Sequence, residues 1–164
     1  RAVAVVNQLE HETWMRLAHR EAVRAFDVGE VPIGAVLVCD GQVVGSGYNQ
    51  PIGAGDPTAH AEVVALRAGA ANIRNYRLTG ATLYATVEPC LMCAGALVHA
   101  RVGVLVFGAA EPRTGAVRSV MQALDHPSLN HRVKVVEGVL AQESRELMQR
   151  FFKERREQLD TAVS

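Results

Sequence analysis

Cys90 and Cys93 stand three residues apart directly behind a proline, in the stretch Glu88-Pro89-Cys90-Leu91-Met92-Cys93, and no feature constrains the fold of this chain more. Proline is favoured at the first helical position, so the spacing predicts that the Cys pair opens a helix. Residues at i and i+3 are helical neighbours, which puts both thiols on one face of the first turn. The positive end of the helix dipole favours thiolates, the form that ligates metal. Two thiolates are half a site. The fold must therefore bring other ligands to this helix start from a distant part of the chain.

Thr58-Ala59-His60-Ala61-Glu62 supplies them from upstream. Asp56 reads as an N-cap and Pro57 as a first helical residue, so His60 is also expected in an opening turn. One imidazole and two thiolates leave a tetrahedral zinc one position for water, the arrangement of a catalytic rather than a structural site. Glu62 is spaced off the His60 face, yet in a first turn it reaches that water as a general base. His-x-Glu followed by Pro-Cys-x-x-Cys is the signature of zinc nucleobase deaminases. Each half alone has a plainer meaning. The Cys pair could be a redox pair or half of a four-ligand structural zinc, completed by Cys39, His11, His19, His99, His126 or His131. None of these stands at a short motif spacing, and the joint pattern favours a catalytic zinc.

Composition bounds the partners. The 164 residues suit one domain spanning 1–164, with 1–9 expected to be loosely ordered. Lys and Arg total 17 and Asp and Glu total 17, so overall charge gives no support to nucleic-acid binding, which must rest on a local patch. With two of the 3 cysteines in the metal pair, no disulfide framework remains, which suits a reducing cytoplasm. No run approaches membrane-spanning length, and Ala2 to Val6 is too short for a signal-peptide core. A first residue of Arg1 rather than Met points to a trimmed N-terminus.

Along the chain, Trp14, Leu17, Ala18, Ala22, Ala25 and Phe26 recur at helical spacing, with Gly29 as a stop. Ile33–Cys39 and Gln42–Tyr48 are Val-rich runs joined by Asp40-Gly41, a type I′ hairpin signal. A turn-rich loop from Asn49 to Gly55 leads to the His60 helix. Ala81–Val87 reads as a strand, the Cys helix runs to about Arg101, and Val102–Phe107 is a further strand. Such a strand–helix–strand unit implies parallel pairing. Residues 111–120 read as irregular, Val133–Val136 as a short strand and Leu140–Leu159 as a closing helix. The order predicts an α/β fold, a three-layer α/β/α sandwich around a mixed sheet.

Nothing in the zinc chemistry chooses cytosine, adenine or guanine. A resemblance does. Glu30-Val31-Pro32-Ile33-Gly34-Ala35-Val36, Asn49-Gln50-Pro51, Asp56 to Glu62, Asn75-Tyr76-Arg77-Leu78 and Glu88 to Ala96 resemble the bacterial tRNA-specific adenosine deaminases, as do Asn130-His131-Arg132-Val133 and Phe151-Phe152. The likeness runs from about Glu12 to Arg156. It implies a cytidine-deaminase-like fold with a five-stranded sheet, one Zn2+ per chain on His60, Cys90 and Cys93, and Glu62 as proton shuttle. It further implies a homodimer acting on the wobble adenosine of a tRNA anticodon stem-loop, in the cytoplasm. Asn49 would contact the target nucleoside and Val31 would wall the pocket. By their own chemistry Asn49 is equally a turn residue before Pro51, and Val31 ordinary packing.

Lys153, Arg155 and Arg156 form the candidate RNA patch. An ordinary solvated helix end has the same composition, since Glu154 and Glu157 dilute the charge, and the resemblance tips the choice toward RNA. The chain carries Glu111 and Arg113 where many relatives have Asp and Lys, and Ala54-Gly55 where some are basic. The rival functions are a free cytosine, cytidine or guanine deaminase and a zinc-stabilised binding module with Glu62 as a mere helix cap.

Overall fold

A computed structural model describes residues 8–163. Helix α1 (Gln8–Asp27) is followed by strands β1 (Gly34–Cys39) and β2 (Gln42–Tyr48), a one-turn helix α2 (Pro51–Ala54) and helix α3 (Ala61–Ile73). Then come β3 (Thr82–Val87), α4 (Leu91–His99), β4 (Val104–Ala109), β5 (Lys134–Val136) and α5 (Ala141–Val163). The helix expected from Trp14 starts at Gln8, so residues 8 and 9 are ordered helix rather than loose chain. The rest of the expected N-terminal segment, 1–7, lies outside the described residues.

The five strands lie in the order β2-β1-β3-β4-β5. β1 is antiparallel to both β2 and β3, while β3–β4 and β4–β5 are parallel, as the strand–helix–strand reading requires. Asp40 (φ 51) and Gly41 (φ 73) are both left-handed, and Cys39 faces Gln42 across them. That is the type I′ geometry the Asp-Gly signal calls for.

Alternation along the strands sorts the core into two layers. Ala35, Leu37, Leu83, Ala85, Leu105 and Phe107 face Ala61 and Ala65 of α3 and Ala94 and Leu97 of α4. Val36, Val38, Tyr84 and Val106 face Met15 and Ala18 of α1, with Val139 and Leu140 leading into α5. The result is the expected α/β/α sandwich. β2 brings α3 unusually near: a Cβ at Gly45 or Gly47 would strike the α3 backbone at Ala65 or Ala61. These glycines let the His60 helix lie directly on the sheet.

Candidate active site

The carboxyl ends of β3 and β4, the start of β1 and the end of β2 share one edge of the sheet, because Val87 pairs with Ala109, Ala35 with Ala85 and Gly34 with Tyr48. Ligands of open α/β sheets sit outside such strand ends. β3 runs straight into Glu88-Pro89-Cys90, and β4 into Ala110-Glu111. The Gln50 N–H donates to the Ala59 carbonyl at 3.0 Å, tying the residue before His60 beside Asn49. The two motifs therefore meet at a single edge.

Neither helix begins where the prolines suggest. Asp56 closes a local turn instead of capping α3, accepting the Thr58 N–H (2.8 Å) and hydroxyl (2.7 Å). His60 is itself the N-cap of α3, with extended backbone at φ −72, ψ 151. Likewise Cys90, not a residue before Pro89, is the N-cap of α4 (φ −75, ψ 177). Cap side chains swing back across the helix mouth toward N3. Cys93 is that N3 residue, so the thiols converge by cap geometry rather than by lying along one helical face.

His60 Nδ1 lies 3.5 Å from Cys90 Sγ and 3.6 Å from Cys93 Sγ. All three ligand atoms fall within 4.8 Å of one another. Zn–S bonds of about 2.3 Å and Zn–N bonds of about 2.05 Å at the tetrahedral angle separate nitrogen from sulfur by about 3.6 Å. The spacing and the N/S/S donor set fit zinc. Among the described residues no other group of three such side chains is gathered closely enough to hold a metal.

Glu62 is 3% exposed. Burial pushes its carboxyl up from the usual range, and a hydrogen bond with the Cys93 thiol only partly offsets this. The thiol pair is polarised: the Cys93 thiol beside Cys90 holds Cys90 down at about 5 against its burial, while Cys90 and burial push Cys93 up. Asn49 is 8% exposed and its side-chain amide has no hydrogen-bond partner among the described residues. Val31 is half-buried at the same edge, its carbonyl accepting the Ile33 N–H.

The three cations of α5 differ in what they touch. Arg155 Nη2 donates to the Gly29 carbonyl at 2.6 Å and its guanidinium lies over the Phe151 ring, so it clamps α5 to the end of α1. Arg156 follows it in α5. With Arg145, Met148 and Phe152 it lines a cavity of about 300 Å³ floored by Val87, Ala109 and Ala110 at the strand ends. Phe152 is 43% exposed there. Arg113 shares the adjoining groove with Arg155 and Arg156, whereas Arg118 is engaged by Asp125 at 3.2 Å and Glu137 at 3.8 Å. Lys153 is exposed, three residues from Arg156.

Two buried carboxylates that motif reading leaves without a role hold the loops around this edge. Glu30 accepts the N–H groups of Ile52 (3.2 Å) and Gly53 (2.7 Å), fixing the turn after Asn49. Glu88, 4% exposed, is the hub of residues 111–119. Burial opposes its ionisation, but the Ser119 hydroxyl and the N–H groups of Arg118, Ser119 and Glu111 outweigh that and hold it at about 2. A lone Glu before a Pro-Cys pair carries no sequence signal of such a role.

Comparison with known proteins gives a consistent set. The MafB19-like deaminase family matches residues 9–156. A tRNA-specific adenosine deaminase of Haemophilus influenzae is 50% identical over 90% of this chain and 86% of its own length. One from Aquifex aeolicus is 43% identical over 88% and 95%. Among solved structures, one from a study of A-to-I editing by tRNA:A34 deaminases at the wobble position of transfer RNA superposes with a TM-score of 0.80. It is 42% identical over 82% of this chain and 98% of that one.

Proposed function

As the chain belongs to the tRNA-specific adenosine deaminases, within the MafB19-like deaminase family, we propose that it hydrolyses the wobble adenosine of a tRNA anticodon loop to inosine and ammonia. The observation that carries this reading is the closure of His60, Cys90 and Cys93 to zinc-ligand distances around a buried Glu62. His60, Cys90 and Cys93 would hold one zinc. When bound, the metal lowers the pKa of a water from 15.7 toward about 7 and so provides a nucleophile at neutral pH. Glu62 would take one proton from the water and give it to N1 of the adenine ring, then move the remaining proton of the oxygen added at C6 to the departing amine, so that ammonia leaves as the carbonyl of inosine forms. The unpaired Asn49 amide orients the nucleoside, and Val31 packs against it.

An adenine inside a stacked loop is out of reach of such a site, so the nucleotide must be extruded into it. Arg113, Phe152 and Arg156 at the neighbouring groove suit that task, offering phosphate contacts and a ring for stacking. In Lys153→Glu/Arg156→Glu we expect the KM for an anticodon-loop hairpin to rise and its salt dependence to flatten, with zinc content unchanged. An unchanged KM places the RNA elsewhere. Arg155 is left out of that variant because of its clamp on Gly29. The reading itself is tested by comparing the hairpin with free adenosine, cytidine and guanine. Turnover of the free compounds alone makes the chain a nucleobase or nucleoside deaminase instead.

The working unit is a homodimer. Leu91 (57% exposed) and Met92 (36%) begin α4 on the outer face, beside an apolar trough of Val63, Leu66, Ala70 and Ala96 between α3 and α4. Sedimentation at micromolar concentration is expected to give a dimer, and a 17.7 kDa species contradicts it. No helix among the described residues is long and apolar enough to cross a membrane. With tRNA as substrate, the enzyme works in the cytoplasm.

A further inference from the structure

Residues 111–119 leave β4 beside the zinc ligands and have no helix or strand to satisfy their backbone. Beside bonds within the loop itself, such as the Gly115 N–H to the Glu111 carbonyl, its backbone is held by two consecutive residues outside it. Glu88 Oε2 accepts the N–H groups of Val117 (3.1 Å), Arg118 (2.8 Å) and Ser119 (2.9 Å). Its Oε1 accepts the Glu111 N–H (3.1 Å) and the Ser119 hydroxyl. Pro89 adds its carbonyl, which accepts the Ala116 N–H at 2.9 Å. Gly115 completes the seat, because a Cβ there would land on the Glu88 carboxylate. One side chain thus holds both ends of a loop, and the next residue in the chain is followed directly by Cys90.

We propose that Glu88 is a positioning residue that fixes the 111–119 loop, with Glu111 and Arg113, as a preformed wall of the RNA cleft. This rests on the reading of the site as an RNA deaminase. A chain segment that must be ordered when its ligand arrives loses conformational entropy at that moment. Held by five bonds to a buried carboxylate, this loop has lost that freedom on folding. Arg113 then meets the anticodon loop in place, and none of the ordering cost falls on RNA binding. The effect lies in binding rather than in proton transfer, since Glu88 touches neither Glu62 nor a zinc ligand in any hydrogen bond.

The geometry specifies the substitutions. Glutamine keeps the volume but replaces one oxygen by an NH2 group, and either orientation turns a donor toward N–H or O–H donors. For Glu88→Gln we expect the 117–119 amides to lose protection from hydrogen exchange without RNA present. The KM for an anticodon-loop hairpin should rise about tenfold or more, with kcat and zinc stoichiometry little changed. Ser119→Ala removes one bond of the five and should shift KM the same way by less. Gly115→Ala should reproduce the Glu88→Gln behaviour, and in a Glu88→Ala background, where the carboxylate is gone, it should add almost nothing.

Exchange and KM unchanged in Glu88→Gln overturn the proposal. So does loss of zinc in that variant, which would make Glu88 a support for the ligands. Should Glu88→Gln fail to fold, Ser119→Ala decides, and wild-type exchange and KM in it overturn the proposal too. A wild-type protein that never forms inosine overturns the proposed function instead, while the exchange result still reports on the loop.

Discussion

Glu62→Ala is expected to lose at least the ~10²–10⁴-fold that a general acid–base group contributes, while keeping its zinc. The side chain is 3% exposed at the thiol pair, and His60, Cys90 and Cys93 form a candidate metal cluster that does not include it. As the second residue of α3, two after the His60 N-cap, it brings its carboxyl into hydrogen-bond contact with Cys93. Burial raises its pKa, so it picks up a proton more readily than a surface glutamate does. Glu62→Gln, which keeps the shape, should fail equally. Single-turnover inosine formation with metal analysis of the same samples checks this. Activity within about tenfold of wild type means that another group moves the protons.

Removing the metal should remove both activity and part of the stability. Cys93 is fully buried, and three elements meet at the ligand set: the start of α3, the end of β3 and the start of α4. A ligand that binds only the folded state stabilises it by about 2.7 kcal/mol at a hundredfold excess over Kd. For a chain of this size that is about 5–10 °C in Tm. Chelation should therefore lower the Tm by about that much and stop turnover, and added zinc should restore both. Cys93→Ser should resemble the chelated protein and should not respond to zinc. Full activity in protein shown to be metal-free contradicts the assignment.

The parts of this fold that were legible in the sequence are those written in local residue chemistry. Asp40-Gly41 between Val-rich runs specifies its hairpin, because both positions need left-handed backbone. The alternation of Val36 and Val38 with Leu37 separates the two faces of a covered strand. That His60, Cys90 and Cys93 come together was legible from residue type and spacing, though for a reason only partly right. Prolines suggested helices starting at Pro57 and Pro89, but Asp56 is spent on Thr58 and both ligands of the opening turns are N-caps.

What stayed hidden depends on partners far away in the chain. Glu88 finds its donors 23 to 31 residues downstream in a loop whose composition reads only as irregular. Arg155 reads as one of three equivalent cations until the Gly29 carbonyl, 126 residues away, claims it. Phe151 and Phe152 are alike and adjacent in sequence, yet only Phe151 faces Phe26 across the α1–α5 contact.

The central claim is that this zinc and glutamate site acts on adenosine within a tRNA anticodon loop. Incubation of the purified zinc-loaded protein with total tRNA, followed by digestion and nucleoside analysis, tests it most directly. The account predicts inosine appearing in step with ammonia, in wild type and not in Glu62→Ala. Ammonia released with uridine or xanthine as product, or no product from tRNA while free bases are deaminated, would contradict it.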